Sequence, residues 1–168
     1  MTLTRTLAEL AIETPGDALP ASAYAAARKM TLDTLATTVG GAIQPGAPAC
    51  VALVREWGGR ADATVLVHGD RVPLPAAVFA NSVMAHALDY DDVYVPASLH
   101  VTSMLFPCAF STAEHVQATG RQYLEAFILG VEVACRLGLA GKPKRRGMGF
   151  LPTSVEGGFG ATAAVCRL

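Results

Sequence analysis

The sequence predicts a mostly α-helical fold, a helical bundle with one short β-hairpin. Alanine-rich segments with apolar residues three and four positions apart recur along the chain, as in amphipathic helices. One convincing strand, Ala63–Val67, is β-branched, bounded by polar residues and glycine, and followed by a turn into 71–73. The 168 residues are 52% hydrophobic, enough for one domain with a core of useful size.

The N-terminal part is expected to form three helices, Leu3–Glu13, Pro20–Gly40 and Pro48–Trp57. A Pro-Gly step after the first helix, and glycine pairs after the second and third, indicate where each one stops. The second helix is the longest of the three. Its buried apolar face is predicted to consist of Leu32, Leu35, Ala36 and Val39.

Two further helices are predicted after the hairpin, Pro75–Leu88 and Thr102–Gln117. The hairpin is expected to pack against such helices, because an isolated pair of strands is only marginally stable. Pro107 lies inside the second of these helices, so a kink or a late start is expected there.

A capping box, Thr119 with Gln122, predicts the start of the next helix. In it each side chain can accept a hydrogen bond from the backbone N–H of the other residue. It is predicted to run to about Leu137, followed by a polar basic loop, Gly141–Gly149. A last Gly/Ala-rich helix reaches Leu168. The predicted buried stripe of the capped helix is Leu124, Phe127, Ile128, Val131 and Cys135.

Composition excludes several classes of protein. The net charge is −1 and no lysine-rich run is long enough to follow a nucleic acid backbone, so no nucleic-acid partner is expected. No run approaches the roughly 20 apolar residues of a membrane-spanning helix. The N-terminus lacks a signal-peptide pattern, which makes the cytoplasm the expected location. Four widely spaced cysteines in apolar surroundings are typical of core residues in a reducing compartment.

The most unusual segment is Ala85–His100, here called the acidic loop, which reads AHALDYDDVYVPASLH. Only 16% of the chain is charged, yet three aspartates, Asp89, Asp91 and Asp92, fall within four positions. They follow a helix, whose C-terminal end disfavours carboxylates. Three interpretations remain open for this loop: solvated acidic residues at a helix end, a metal site, or an acid/base site.

The metal hypothesis uses His86, Asp89 and His100, because residues three apart are neighbours on a helix face and a loop can add a third ligand. The fixed spacing of known zinc motifs is absent. The acid/base hypothesis places a carboxylate and His100 around a small substrate. In that case the basic loop, including Arg146, would hold an anionic substrate.

The run AHALDYDD followed by PASLH resembles the signature of the MmgE/PrpD family, in which AHxLDFDD precedes a loop with a histidine. The resemblance extends in order over essentially all 168 residues. It includes the stretches LDTLATTVGG, ATVLVHGDRVPLPAAVFANSVMAHALDYDD, YLEAFILGVEVACRLG and GFLPTSVEGGFGATAAVCRL. It implies a cofactor-independent enzyme that moves a proton at a carbon next to a carboxylate, without a metal. Dehydration of 2-methylcitrate, decarboxylation of cis-aconitate and an epimerisation are activities of the family.

The resemblance also implies roles for particular residues. Asp89 matches the first aspartate of the signature and His100 the loop histidine, so these two are the predicted catalytic residues. The predicted substrate-binding residues are Asp92 and Thr153, which match family positions, together with His86 and Arg146, which are predicted from their place in the acidic and basic loops. The chain differs from the family pattern at Val93, Val101 and Leu151, where members typically have threonine, proline and a substrate-contacting histidine.

Residues 1–168 therefore resemble the N-terminal helical part of a longer enzyme, with a second lid domain and the C-terminal part absent. By the same resemblance we expect a dehydratase-type lyase acting on a small di- or tricarboxylate such as 2-methylcitrate, and a homodimer or a C-terminal partner polypeptide that completes the site. Two alternatives are a decarboxylase or epimerase of the same family, and a non-catalytic remnant or helical interaction module.

Overall fold

The computed structural model describes residues 2–145 and 149–168, which contain seven α-helices, one two-stranded hairpin and two short 3₁₀ helices. The predicted mostly α-helical fold class is confirmed. In chain order the elements are α1 (Leu3–Glu13), α2 (Ala21–Gly41), α3 (Ala47–Trp57), β1 (Ala63–Thr64), β2 (Arg71–Val72), α4 (Leu74–His86), α5 (Thr102–His115), α6 (Gly120–Arg145) and α7 (Pro152–Arg167). No helix within these ranges is long and apolar enough to cross a membrane.

The helices surround two apolar cores. α6 packs along α7, and α5 lies against both, around the fully buried Leu105, Phe106 and Phe127. α4 lies between α2, α3 and α5, and Val54 and Met84 are fully buried in this second core. The acidic loop connects α4 to α5 and therefore joins the two cores.

Glycine allows the close contact of α6 with α7. A Cβ atom at Gly160 would lie 2.6 Å from the carbonyl oxygen of Gly130 and 2.7 Å from the Cβ of Ala134. A Cβ atom at Gly130 would in turn lie 2.7 Å from the carbonyl oxygen of Gly160. Because real Cβ atoms do not approach other atoms this closely, glycine at both positions sets the separation of the two helices.

The apolar face predicted for α2 is not the face that the helix buries. Leu32 and Val39 are 69% and 61% exposed, and Leu35 is only partly buried. The residues that α2 buries are instead small or hydroxylated: Ala27, Thr34, Thr37, Thr38 and Gly41.

Close packing against α4 explains this choice of face. A Cβ at Gly41 would overlap the carbonyl oxygen of Met84, so only glycine permits the contact. The buried threonines satisfy their own hydroxyls, since Thr34 donates to the carbonyl of Met30 at 2.8 Å and Thr38 to that of Thr34 at 2.6 Å. Small, internally bonded side chains therefore replace the larger apolar ones at this interface.

The hairpin is shorter than the predicted strand Ala63–Val67. Only Ala63–Thr64 pairs with Arg71–Val72, in antiparallel register. The backbone N–H of Leu66 donates to Oδ1 of Asn81 on α4 at 2.8 Å, so a helix side chain takes the place of a strand partner. The predicted dependence of the hairpin on helices is confirmed by this contact.

The capping box at the start of α6 is confirmed: the backbone N–H of Thr119 donates to Oε1 of Gln122 at 2.8 Å, and that of Gln122 donates to Oγ1 of Thr119 at 3.3 Å. Of the predicted stripe, Phe127 is fully buried and the other four residues pack partly buried against the same core. The predicted end at Leu137 is wrong, because α6 continues to Arg145.

Gly138 explains the longer helix. A Cβ there would lie 2.9 Å from the Cβ of Ala97 in the acidic loop, so this glycine serves close packing and does not terminate α6. The first five residues of the predicted basic loop, Gly141–Arg145, are consequently helical. α5 begins at Thr102 and continues through Pro107, so of the two alternatives expected at this proline the late start does not occur, and the kink stays a prediction.

Candidate active site in the acidic loop

The site begins where α4 ends. His86 is the last residue of α4, two residues before the predicted end at Leu88. The backbone N–H of Asp89 donates to the carbonyl of His86 at 2.9 Å, and Asp89 has φ +50°, a left-handed conformation that aspartate tolerates better than most residues. The prediction that His86 and Asp89 share one helix face is therefore wrong, because the chain turns away between them.

After Asp92 the acidic loop turns back towards the C-terminal end of α4. An isolated antiparallel bridge pairs Tyr94 with Leu99, around a short 3₁₀ helix at Val95–Ala97. Leu99 and Val101 are 0% and 1% exposed, and they anchor the backbone on both sides of His100. Apolar burial of its two neighbours thus holds His100 next to the end of α4.

Two imidazoles and two carboxylates meet there, His86, Asp89, Asp91 and His100, which we call the His/Asp cluster. Nδ1 of His86 lies 2.8 Å from Oδ1 of Asp91, and Nδ1 of His100 lies 3.4 Å from Oδ2 of the same carboxylate. Nε2 of His100 lies 3.8 Å from Oδ1 of Asp89. The His86 and His100 rings stand 5.2 Å apart, edge to face.

The four side chains of the cluster differ in their exposure to solvent. The side chain of Asp91 is 0% exposed, whereas those of His100, His86 and Asp89 are 26%, 46% and 79% exposed. A small molecule can therefore reach the histidines and Asp89 from solvent, while Asp91 lies behind them.

Asp92 faces the other way, towards α5. Its Oδ1 accepts hydrogen bonds from the backbone N–H of Thr102 at 2.9 Å and from the Thr102 hydroxyl. These bonds cap the first turn of α5. Burial raises the pKa of Asp92 above its usual range, against the lowering effect of the Thr102 bonds. The structure gives Asp92 a capping contact, and its part in substrate binding stays a prediction.

Thr153 joins the site from the start of α7. Its hydroxyl oxygen accepts a hydrogen bond from the backbone N–H of His100 at 3.1 Å. Leu151, two residues earlier, is 71% exposed and has no polar group to offer a substrate. Arg146, the remaining predicted substrate-binding residue, lies outside the described residues.

The sequence reasoning assigned no role to Asp91, which the structure places at the centre of the cluster. The available signal was its position within three aspartates next to two histidines. Which aspartate points inwards depends on the turn at Asp89 and on the path of the loop, and residue spacing does not determine either.

The cluster supports two kinds of chemistry. A partly exposed imidazole beside a buried carboxylate is the arrangement of a general acid/base. The ligand atoms of the four side chains also lie within 4.8 Å of one another, so they could together hold a divalent cation. Titration with Zn²⁺, followed through the histidine signals in NMR spectra, tests the second possibility; unchanged signals at equimolar metal would exclude it.

Comparison with known proteins agrees with the signature of the acidic loop. The family model of the MmgE/PrpD N-terminal domain matches residues 5–168. Cis-aconitate decarboxylase of Homo sapiens is 35% identical over 106 residues, which cover 58% of this chain and 21% of that protein. The Mus musculus protein of the same name is 34% identical over a segment of the same length and coverage.

The matched segment thus spans about a fifth of each of these two decarboxylases. The family model, in contrast, covers this chain almost from end to end. The chain belongs to the MmgE/PrpD family.

Proposed function

We propose that this chain supplies the helical part of the active site of a lyase that acts on a small di- or tricarboxylate. The observation that carries the proposal is the partly exposed side chain of His100, whose Nε2 lies 3.8 Å from the exposed carboxylate of Asp89 and whose Nδ1 lies 3.4 Å from the buried Asp91. Family membership supports the same chemistry, since two matched relatives are cis-aconitate decarboxylases.

His100 is the proposed proton-transfer residue, because imidazole both accepts and donates protons near neutral pH. In a dehydration, Nε2 of His100 takes the proton from the carbon next to a carboxylate. The electron pair of that C–H bond forms the double bond, and hydroxide leaves from the neighbouring carbon. The leaving oxygen takes a proton from an acid and departs as water, and the exposed Asp89 is the proposed contact on that side.

The dehydratase-type reaction, on a substrate such as 2-methylcitrate, is the first version of this proposal. Decarboxylation is the second, favoured by the names of the two matched relatives. There the C–C bond to the carboxylate breaks, CO₂ leaves, and the electron pair left on carbon takes a proton from an acid such as protonated His100. An epimerase of the same family would use the same proton transfer without loss of a group.

The experiment is to incubate the purified chain with 2-methylcitrate and with cis-aconitate in D₂O. Each substrate is followed by NMR for product and for deuterium incorporation, with and without the remaining polypeptide of a family member. Formation of an unsaturated tricarboxylate supports the dehydratase, whereas loss of CO₂ with one deuteron added to carbon supports the decarboxylase.

Asp89→Asn and His100→Ala are the two variants that test the assignment. General acid/base groups contribute about 10²–10⁴-fold to rate, so each variant should reduce turnover by at least about 100-fold. His68→Ala, in the exposed turn of the hairpin, is the matched control for loss of an imidazole. Undiminished turnover in both site variants would show that the roles are wrongly assigned.

The alternative of a non-catalytic helical module has its own support, the exposed apolar face of α2. Leu32 and Val39 on α2 are 69% and 61% exposed, and Ile43, two residues after the end of α2, is 82% exposed. A homodimer or a C-terminal partner polypeptide is the proposed occupant of this face, and cytoplasm is the proposed location. Sedimentation of the chain and of Leu32→Ser/Val39→Ser measures self-association; a monomer at all concentrations would argue against the homodimer.

A further inference from the structure

The carboxylate of Asp91 is the one fully buried acid of the His/Asp cluster, and the proton transfers proposed above do not pass through it. Its Oδ1 meets Nδ1 of His86 at 2.8 Å. Its Oδ2 and Nδ1 of His100 are both buried without a hydrogen-bond partner within ordinary limits, and they face each other at 3.4 Å. Each oxygen of Asp91 therefore lies within 3.4 Å of Nδ1 of a different histidine.

Because Asp91 is buried, each of its two carboxylate oxygens needs a hydrogen-bond donor from the protein. A carboxylate removed from water must find donors, and an imidazole nitrogen is a donor only when it carries a proton. Nδ1–H on His86 donates to Oδ1 of Asp91 at 2.8 Å, and Nδ1–H on His100 would place a donor 3.4 Å from Oδ2. The 3.4 Å separation at His100 is a long hydrogen-bond distance, as is common for catalytic groups in the absence of substrate.

We infer that Asp91 is a positioning residue that holds both His86 and His100 in the Nδ1–H tautomer, so that both rings present an unprotonated Nε2 away from the buried carboxylate. The two imidazoles then form a pair of bases on one carboxylate. The role of Asp91 in catalysis rests on the proposed function. The tautomers of His86 and His100 can be tested without it.

The neighbouring aspartates do not compete for this role. Asp92 uses Oδ1 to cap α5 through Thr102. Asp89 is 79% exposed and lies 3.8 Å from Nε2 of His100, on the open side of that ring. Among the described residues, the carboxylate of Asp91 is thus the acceptor that faces Nδ1 of each ring.

The pairing has a consequence for the reaction. When Nε2 of either ring accepts a proton from a substrate, the resulting imidazolium stays next to the Asp91 carboxylate and is stabilised by it. His86, the last residue of α4 and the more exposed of the two histidines, would offer its Nε2 in the same way.

Nitrogen-15 NMR of the uniformly labelled chain tests the inference without any substrate. Long-range ¹H–¹⁵N correlations at alkaline pH, where imidazole is neutral, distinguish the two tautomers of each ring. The expected result is Nδ1–H at His86 and His100. Nε2–H at either ring of the native chain would overturn the inference.

Asp91→Asn supplies the second measurement. The amide keeps the size of the side chain but offers one acceptor and one donor, so it can support Nδ1–H at only one ring, and the other should switch to Nε2–H. Asp92→Asn is the matched control for loss of a neighbouring charge and should leave both tautomers unchanged. Unchanged tautomers in Asp91→Asn would count against the inference; should that variant fail to fold, the native spectrum alone decides.

Turnover then separates this inference from the proposed function. With the complete enzyme and whichever tricarboxylate is turned over, Asp91→Asn should lower kcat about 10- to 100-fold with a smaller change in KM, as expected for a residue acting through another. Asp91→Glu should recover part of the rate. Native Nδ1–H tautomers in a complete enzyme that turns over neither 2-methylcitrate nor cis-aconitate would leave Asp91 as the positioning residue and refute the lyase.

Discussion

The backbone N–H of His100 donates a hydrogen bond to the hydroxyl of Thr153 at 3.1 Å, across 53 positions of sequence. The bond ties the acidic loop to the first turn of α7. Because α7 packs along α6 through Gly130 and Gly160, the position of His100 depends on the packing of the C-terminal helices as well as on its own loop.

Thr153→Val should loosen His100 without filling or emptying space. It removes the acceptor, and a typical hydrogen bond contributes about 1 kcal/mol, which is about fivefold in local opening. The exchange rate of the His100 amide, measured by hydrogen–deuterium exchange, should rise about fivefold. Thr153→Ser keeps the hydroxyl and is the control; equal exchange in both variants would contradict the role of the bond.

Gly160→Ala should destabilise the α6–α7 contact by about 1–3 kcal/mol, because the added methyl must push against the Gly130 carbonyl and Ala134. Gly158→Ala, in the same helix, meets no atom within 4 Å and should stabilise the chain by up to about 1 kcal/mol through helix propensity. Urea unfolding of both variants measures the difference. Equal free energies of unfolding would show that the close approach is not needed.

Glu114→Gln should weaken the attachment of the hairpin to α5. The carboxylate accepts from the backbone N–H and hydroxyl of Thr64 at 2.9 and 2.6 Å, and from Nη1 of Arg71 at 2.6 Å. Burial alone would raise the pKa of Glu114, but these hydrogen bonds outweigh it and hold the pKa below its usual range. We expect a loss of about 1–2 kcal/mol at neutral pH.

The pH dependence of this effect has a definite sign. A carboxyl whose pKa is lowered by folding stabilises the fold above its unfolded pKa, and that stability is lost as the pH falls through the folded pKa. Thermal unfolding of the native chain and of Glu114→Gln should therefore differ at pH 7 and converge towards pH 3. Glu132→Gln, which loses only the surface pair with Arg136, is the control. A difference that persists at pH 3 would contradict the linkage.

Asp92→Asn should leave stability at neutral pH unchanged or raise it. Burial raises the pKa of Asp92, so its charged form opposes folding, and the stability present at acid pH is lost as the pH rises through the folded pKa. Asparagine keeps an oxygen that can accept from Thr102 and carries no charge. Melting temperatures at pH 4 and pH 8 test this; a variant that melts clearly lower at pH 8 would show that the charge is needed for the cap.

The positions of the helices in the sequence were predicted better than the faces that they bury. The helices α1–α7 each lie close to a predicted segment, because apolar periodicity, glycine pairs and the Thr119–Gln122 capping box are local signals. The buried face of α2 was predicted wrongly. Its burial follows from how closely Gly41 lets α2 approach Met84, a contact between elements that no local pattern contains.

Within the site, the residue types and their grouping in Ala85–His100 were evident from the sequence alone, as was the family. Their mutual positions were decided by tertiary structure. The left-handed turn at Asp89 and the burial of Leu99 and Val101 bring His86 and His100 to the same side of the loop. Selecting Asp91 as the inner carboxylate depends on that path, since a one-residue change of turn would bury a different aspartate. The sequence alone therefore determines which titratable residues are available in the acidic loop. Which of them pair with one another depends on packing between segments far apart in sequence.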